Sequence, residues 1–413
     1  MPAFRLLIVL VMLSACSPSV KEDEHFLLNL MKTEPAKFQN ILNPLDSIDV
    51  QIIYTQINRD ANNRPIFSSF YFHVDSTRYF YPASTIKLPL VLLSLEKLSE
   101  LNIKGLSAQT PMFHDSVYSG QRSVKQDLTS ASGLPSIAHY AKEILMVSDN
   151  GASNCLYEFM GQRAVNERLH QKGYTTRILH RLSRSLTPDQ NRHTEAIRFV
   201  RNDTLVYHQP MLVNHDSIRP MRQVFKGNRH MENDKAVDGP FDFTYKNHFP
   251  LQDQQAILKS IIFPESVEAI HRFNITSADR KMVLQYMSEW PRESSYPPYK
   301  TDTALYDGAN KFLMYALDRK PIPSGIRIFN KIGGAYGYLL DNAYIVDFDN
   351  GVEFMLTAMI STNRDGNYND DHYEYDSLGY PFLKNLGQLV YRYELKRKKE
   401  RIPELEEFRL TYD

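Results

Sequence analysis

The sequence predicts an α+β fold: an antiparallel sheet formed by the N- and C-terminal segments and flanked by helices, with a helical subdomain between those segments. Three observations predict it. "IDVQIIYTQI", from Ile48, and "IFSSFYFHV", from Ile66, are rich in β-branched and aromatic residues and flank the turn-rich "NRDANNRP", which is the composition of an antiparallel hairpin. Toward the other end, "NAYIVDFDNGVEFMLTAMI" repeats that composition around an Asn-Gly pair, the dipeptide of tight hairpin turns. Between them, apolar residues recur at helical spacing.

The chain opens with Arg5 ahead of the apolar run "LLIVLVML", which ends in "LSAC" at Leu13 to Cys16. The run is far short of the ~20 residues a bilayer-spanning helix needs. It resembles a bacterial lipoprotein signal, which implies a signal peptide over 1–15, lipid on Cys16, and anchorage in the bacterial cell envelope, at the outer membrane facing the periplasm or the cell surface. "KEDE", Lys21 to Glu24, then reads as a solvated tether, and "HFLLNLMKTEPAKFQNIL" as helix interrupted by Pro35. Residues 16–47 are thus tether and N-terminal helix, and 48–413 one domain.

Within that domain, a helix is expected from about Ser84 to Leu101, another over Ser136 to Val147, and a third after "SDNGAS". The polar, turn-rich stretch at about 200–250 reads as an insertion. "LQDQQAILKSIIF" and "TSADRKMVLQYMSEW" resume helical periodicity, "GIRIFNKIGG" reads as a strand, and "YPFLKNLGQLVYRYELKRK" as a terminal helix.

Composition excludes some functions. Forty-eight basic and forty-eight acidic residues leave a formal charge of zero, so no net field favours nucleic acid. With two cysteines, one of them Cys16, no disulfide framework exists. Cys155, among Leu156, Phe159 and Met160, reads as an inert core thiol. No metal or cofactor is expected.

The chemistry begins at "YPASTIKLPL", where Ser84 and Lys87 stand three residues apart at a helix start, one turn apart on one face. A serine hydroxyl needs a base, and burial can depress a lysine enough to provide a neutral amine. The quartet alone is weak, because "SLEK", Ser94 to Lys97, has the same spacing deeper in the helix, where an exposed polar stripe is expected. Two further motifs add weight: "SDN", Ser148 to Asn150, between two expected helices, and "KIGG", Lys331 to Gly334, closing an expected strand.

With these three motifs in this order, the sequence resembles the penicillin-recognising serine enzymes, nearest to the class A β-lactamases, over roughly Ile48 to Leu395. The resemblance implies a β-lactamase/transpeptidase-like fold and a role for each residue. Ser84 is the nucleophile, Lys87 its base, and Ser148 a proton relay. Asn150 binds the substrate's side-chain amide, Lys331 attracts its carboxylate, and Gly333 shapes the same wall. The backbone N–H groups of Ser84 and Gly334 form an oxyanion hole. The partner is a small β-lactam or a peptidoglycan peptide.

Two departures stand out. Ile332 replaces the hydroxyl residue that usually follows the third-motif lysine. The region "RILHRLSRSLTPDQNRHTEAIRF" lacks the E-x-x-L-N pattern whose glutamate activates the deacylating water; Glu195 and Asp189 are its only acids and are expected to face solvent. Three readings follow: a β-lactamase-like hydrolase with slow deacylation, a D,D-peptidase or transpeptidase, and a non-catalytic sensor lipoprotein.

Overall fold

The computed structural model describes residues 25–43, 48–217 and 219–412. Cys16, its apolar leader and the acidic tether lie outside them; among the described residues no helix is long and apolar enough to cross a membrane.

Helices α1 (Phe26–Met31) and α2 (Pro35–Leu42) come first. Pro35 occupies the first turn of α2, where its missing N–H has no helical partner to lose. Strands β1 (Val50–Arg59) and β2 (Pro65–Phe72) form the expected hairpin. Asp60 closes it by accepting from the backbone N–H groups of Asn62 and Arg64, both at 2.8 Å.

A 3₁₀ turn, Ala83–Ile86, leads into α3 (Lys87–Leu101), then β3 (Met112–Asp115), α4 (Ile137–Val147), α5 (Asn150–Met160), α6 (Gln162–Gln171) and α7 (Pro188–Arg192). Short strands follow: β4 (Ala196–Arg201), β5 (Thr204–Gln209), β6 (Phe225–Lys226), β7 (Arg229–Glu232), β8 (Lys235–Asp238) and β9 (Phe241–Asp242). Next come α8 (Leu251–Ile262), α9 (Ser277–Ser288) and a kinked single turn, α10 (Phe312–Tyr315). The chain then runs through β10 (Ile326–Ala335), β11 (Tyr338–Asp347), β12 (Val352–Ser361), β13 (Asn367–Tyr368) and α11 (Tyr380–Lys396).

The main sheet has the order β10-β11-β12-β1-β2 and is antiparallel throughout. Its seam joins the two ends of the chain, with Val50 opposite Ile360 and Gln56 opposite Phe354. The α+β architecture read from the sequence is the one observed.

Because successive strand residues face opposite ways, β11 serves two cores. Tyr344 and Val346 join an apolar cluster with α3, α4, α5, α8 and α9, whereas Ala343 and Ile345 join one with α1, α2 and α11. The sheet is therefore the middle of three layers. Outside it, β4 pairs with β3 and β5, and β7 with β8 and β13. The β7–β13 pairing brings the polar middle of the chain beside the segment that follows the main sheet.

Candidate active site

Ser84 lies in the 3₁₀ turn rather than in the first α-helical turn that its spacing suggested; Lys87 opens α3. The residue before it, Ala83, has φ +47°. A left-handed non-glycine residue costs on the order of 1–3 kcal/mol, so surrounding packing fixes the turn. Lys87 is fully buried. Its Nζ donates to Asn150 Oδ1 at 2.6 Å, to Ser148 Oγ at 3.2 Å and to the Ser148 carbonyl. Burial drives its pKa down to about 7, against the opposing pull of Asp149.

The second motif is the joint between two helices. Ser148 ends α4 in the left-handed region (φ +63°), its N–H donating to the Ile144 carbonyl at 3.1 Å. Asp149 starts α5, accepting at 2.7 Å from Ala152 N, a capping role. Asn150 is engaged at both ends: its Oδ1 accepts from Lys87 and its Nδ2 donates to Ser183 Oγ at 2.8 Å.

The third motif lies on β10, the edge strand, whose open side meets the 3₁₀ turn. Only glycine allows that approach at 333: a Cβ there would stand 2.8 Å from the Pro82 carbonyl oxygen and 3.1 Å from Ser84 N. Lys331 is buried, and its Nζ donates to Ser148 Oγ at 2.8 Å and to the Ile332 carbonyl at 2.9 Å. Burial, and then Lys87, push its pKa well below the usual lysine range. Ile332 packs against the α11-side apolar cluster.

These segments meet at a cleft of about 480 Å³. Ser84, Asn150, Leu182, Ser183 and Gly334 line it together with four tyrosines, Tyr81, Tyr336, Tyr373 and Tyr375, and with Asn369 and Asp371. Leu182 is fixed there by Asn154, which donates to its carbonyl at 2.9 Å and accepts from its N–H at 3.0 Å.

The two acids considered for water activation are placed elsewhere. Glu195 is buried, contrary to its expected exposure, with one carboxylate oxygen 2.9 Å from His114 Nδ1 and the other accepting from Arg122 N at 3.0 Å. Asp189 is exposed and accepts from the Tyr118 hydroxyl at 2.6 Å. The Ser94–Lys97 quartet is also not the exposed stripe expected. Ser94 is fully buried and donates to the Leu90 carbonyl at 2.8 Å, and Lys97 is lowered to about 7 by burial.

Among the described residues one group of metal-ligand types gathers, Asp127, His139 and Glu143, with ligand atoms within 4.8 Å of one another. The Thr129 hydroxyl stands among them, 2.6 Å from Asp127, 2.7 Å from His139 and 3.1 Å from Glu143. Hydrogen bonding alone accounts for the grouping.

The β-lactamase enzyme family matches residues 36–228, which hold the first two motifs. Among curated proteins none matches. Solved structures similar to this one include a β-lactamase from Xanthomonas campestris, at 14% identity over 87% of this chain and 98% of that one, with a TM-score of 0.46. A β-lactamase from Sphaerobacter thermophilus matches at 12% over 90% and 98%, with a TM-score of 0.46. PBP-A matches at 14% over 89% and 97%, with a TM-score of 0.48. Residues 36–228 are thus similar to the β-lactamase enzyme family, and the serine, SDN and lysine–glycine segments meet at one cleft.

Proposed function

We propose that this protein is a serine hydrolase that opens a β-lactam or a related amide through an acyl-Ser84 intermediate, and that it deacylates slowly. The observation that carries this reading is the Ser148 hydroxyl held between two lysine amines, Lys87 at 3.2 Å and Lys331 at 2.8 Å, beside the cleft that presents Ser84.

The proton path follows from that arrangement. Neutral Lys87 takes the Ser84 hydroxyl proton as the oxygen attacks the carbonyl carbon. The N–H groups of Ser84 and Gly334 stabilise the resulting oxyanion, a kind of contact worth ~3–4 kcal/mol per donor in other serine hydrolases. As the C–N bond breaks, Ser148 gives its proton to the departing nitrogen and is reprotonated by Lys87. Lys331 supplies positive charge for an anionic substrate.

Slow deacylation is supported by what faces the cleft from the loop before β4: Leu182 and Ser183, neither a base. The same observation favours a second reading, a D,D-peptidase or transpeptidase on cell-wall stem peptides, whose acyl-enzyme is passed to an amine or to water. A fluorescent penicillin tests the core of both. It should label wild type and Ser94→Ala but not Ser84→Ala; equal labelling of Ser84→Ala would remove the proposal. Turnover of a chromogenic cephalosporin against release of D-alanine from a D-Ala-D-Ala peptide separates the two readings.

A further inference from the structure

Apart from the cleft, a cavity of about 270 Å³ lies between the stretch after β2, the stretch after α6 and the segment around β6 and β9. It shares no lining residue with the cleft that holds Ser84. Hydrogen bonds join its three walls. Arg177 N donates to the His248 carbonyl at 2.7 Å, and His248 N to the Arg177 carbonyl at 2.8 Å. The buried Asn247 side chain accepts from Leu179 N at 2.7 Å and from His180 N at 3.2 Å, and its carbonyl accepts from the Tyr79 hydroxyl at 2.9 Å. With its walls bonded to one another, the cavity is preformed, as small-molecule sites usually are.

The lining divides by chemistry. Tyr79, Leu179, Val224 and Phe243 are buried aromatic and aliphatic residues, with the Tyr79 and Phe243 ring centres 5.6 Å apart. Arg177, Arg222, Lys246 and His248 supply the ionisable groups, and no carboxylate lines the cavity. Among the described residues none of the three cations is paired with an acid: Arg177 donates to the Arg219 carbonyl at 2.6 Å, and Lys246 stands 5.6 and 5.7 Å from the ring centres of Phe241 and Tyr336. The acids that touch the walls serve their backbone instead. Asp75 accepts from Thr77 N at 2.7 Å, Asp253 from Thr175 N at 2.8 Å, and Asp242 from Thr244 N at 2.7 Å. A cavity lined by charge of one sign concentrates a positive field. Burial, followed by Arg222 and Arg177, outweighs a hydrogen bond to the Thr175 backbone and holds His248 at about 4. Its Nδ1 is buried with no hydrogen-bond partner, whereas buried polar groups are ordinarily paired.

Three unpaired cations gathered beside apolar walls, in a chain of zero formal charge, repel one another, and an anion between them removes that cost. We propose that this cavity is a binding site for a small organic anion, an apolar body carrying one carboxylate or phosphate. The guanidinium groups of Arg177 and Arg222 offer planar forks that match either group, Lys246 adds charge, and the side formed by Tyr79 and Phe243 receives the body. At about 270 Å³ the cavity falls just under the ~300–1,000 Å³ of drug-sized sites, so its ligand is a single small molecule and not a polymer. The site is independent of the chemistry at Ser84.

Calorimetric titration of the full-length protein with phenylacetate and with phenyl phosphate, against neutral phenethyl alcohol, tests this. At least one of the two acids should bind one to one, and the alcohol at least about tenfold more weakly, the loss expected when a charge-assisted hydrogen bond is removed. The acid that binds more tightly tells carboxylate from phosphate. Arg177→Gln should weaken that acid at least about tenfold. Because Arg177 also holds the Arg219 carbonyl, the double variant Arg222→Gln/Lys246→Gln, checked for folding by circular dichroism, serves if Arg177→Gln fails to fold, and should show the same loss. Binding of neither acid at millimolar concentration, an alcohol bound as tightly as the acids, or an unchanged affinity in the folded double variant would overturn the proposal. The last of these would place the acid at Lys331 in the cleft instead.

Discussion

Lys87 and Lys97 show why a shifted pKa does not by itself identify a base: burial brings both to about 7. What separates them is the serine each could serve, since the Ser94 hydroxyl is spent on its own helix while Ser84 lines the cleft. If Lys87 accepts the Ser84 proton, only its neutral form is competent, so the acylation rate should rise with pH through about 7 and then level off. Stopped-flow labelling across pH 5.5–9 checks this, and Lys87→Ala should lower the plateau by ~10²–10⁴-fold. Lys331 has the complementary behaviour. Burial and the neighbouring Lys87 favour its neutral form in the free protein, and an anion bound against it reverses that preference. Binding of a carboxylate-bearing ligand should therefore take up protons, read by calorimetry in buffers of different ionisation enthalpy, and should weaken as pH rises. The Ser84–Lys87 pair was legible in the sequence because three residues make about one helical turn, whereas Ser148 and Lys331 were singled out by the resemblance of their motifs to a known family. The engagement of Asn150 by both Lys87 and Ser183 was not legible, nor was the pairing of His114 with Glu195. Each joins segments far apart in the chain, and no local pattern reports such contacts.

At the scale of elements, the cleft depends on how closely an edge strand approaches a 3₁₀ turn. Gly333→Ala puts a methyl group 2.8 Å from the Pro82 carbonyl oxygen, and that oxygen belongs to backbone that cannot rotate away. The variant should lose about 1–3 kcal/mol of stability and acylate more slowly, because the same shift moves Gly334 relative to Ser84. Urea unfolding and penicillin labelling measure the two effects separately. The long elements were readable for the reason this one is exact: β1, β2, β11 and β12 carry eight to ten residues each, enough for composition and turn chemistry to speak. β6, β9 and β13 have two residues apiece, below any periodicity, so the pairing of β7 with β13 was not readable from local pattern.

At the scale of the whole molecule, the loop before β4 would set the balance between the two halves of the proposed reaction. It turns Leu182 toward the cleft and commits Glu195 to His114. A chromogenic β-lactam should therefore give a stoichiometric burst followed by slow turnover, with the acyl adduct visible by intact mass spectrometry. Leu182→Glu, placing a carboxylate beside Ser84 and Asn150, should shorten the life of that adduct; an unchanged lifetime would mean that no water is positioned there. The sheet's seam has a further consequence, for the order in which the protein can be assembled. Ser84 and Lys87 are synthesised early, but β10, which backs them, and β12, which closes on β1 with Ile360 against Val50, come from the far end of the chain. Pairing at such sequence separation is slow, because the loop-closure entropy must be met before any contact rewards it. Until β12 arrives, the inner edge of β1 is an open template flanked by Ile52, Ile53 and Tyr54, so the nascent protein is most exposed to aggregation during the interval in which Ser84 exists without the cleft around it.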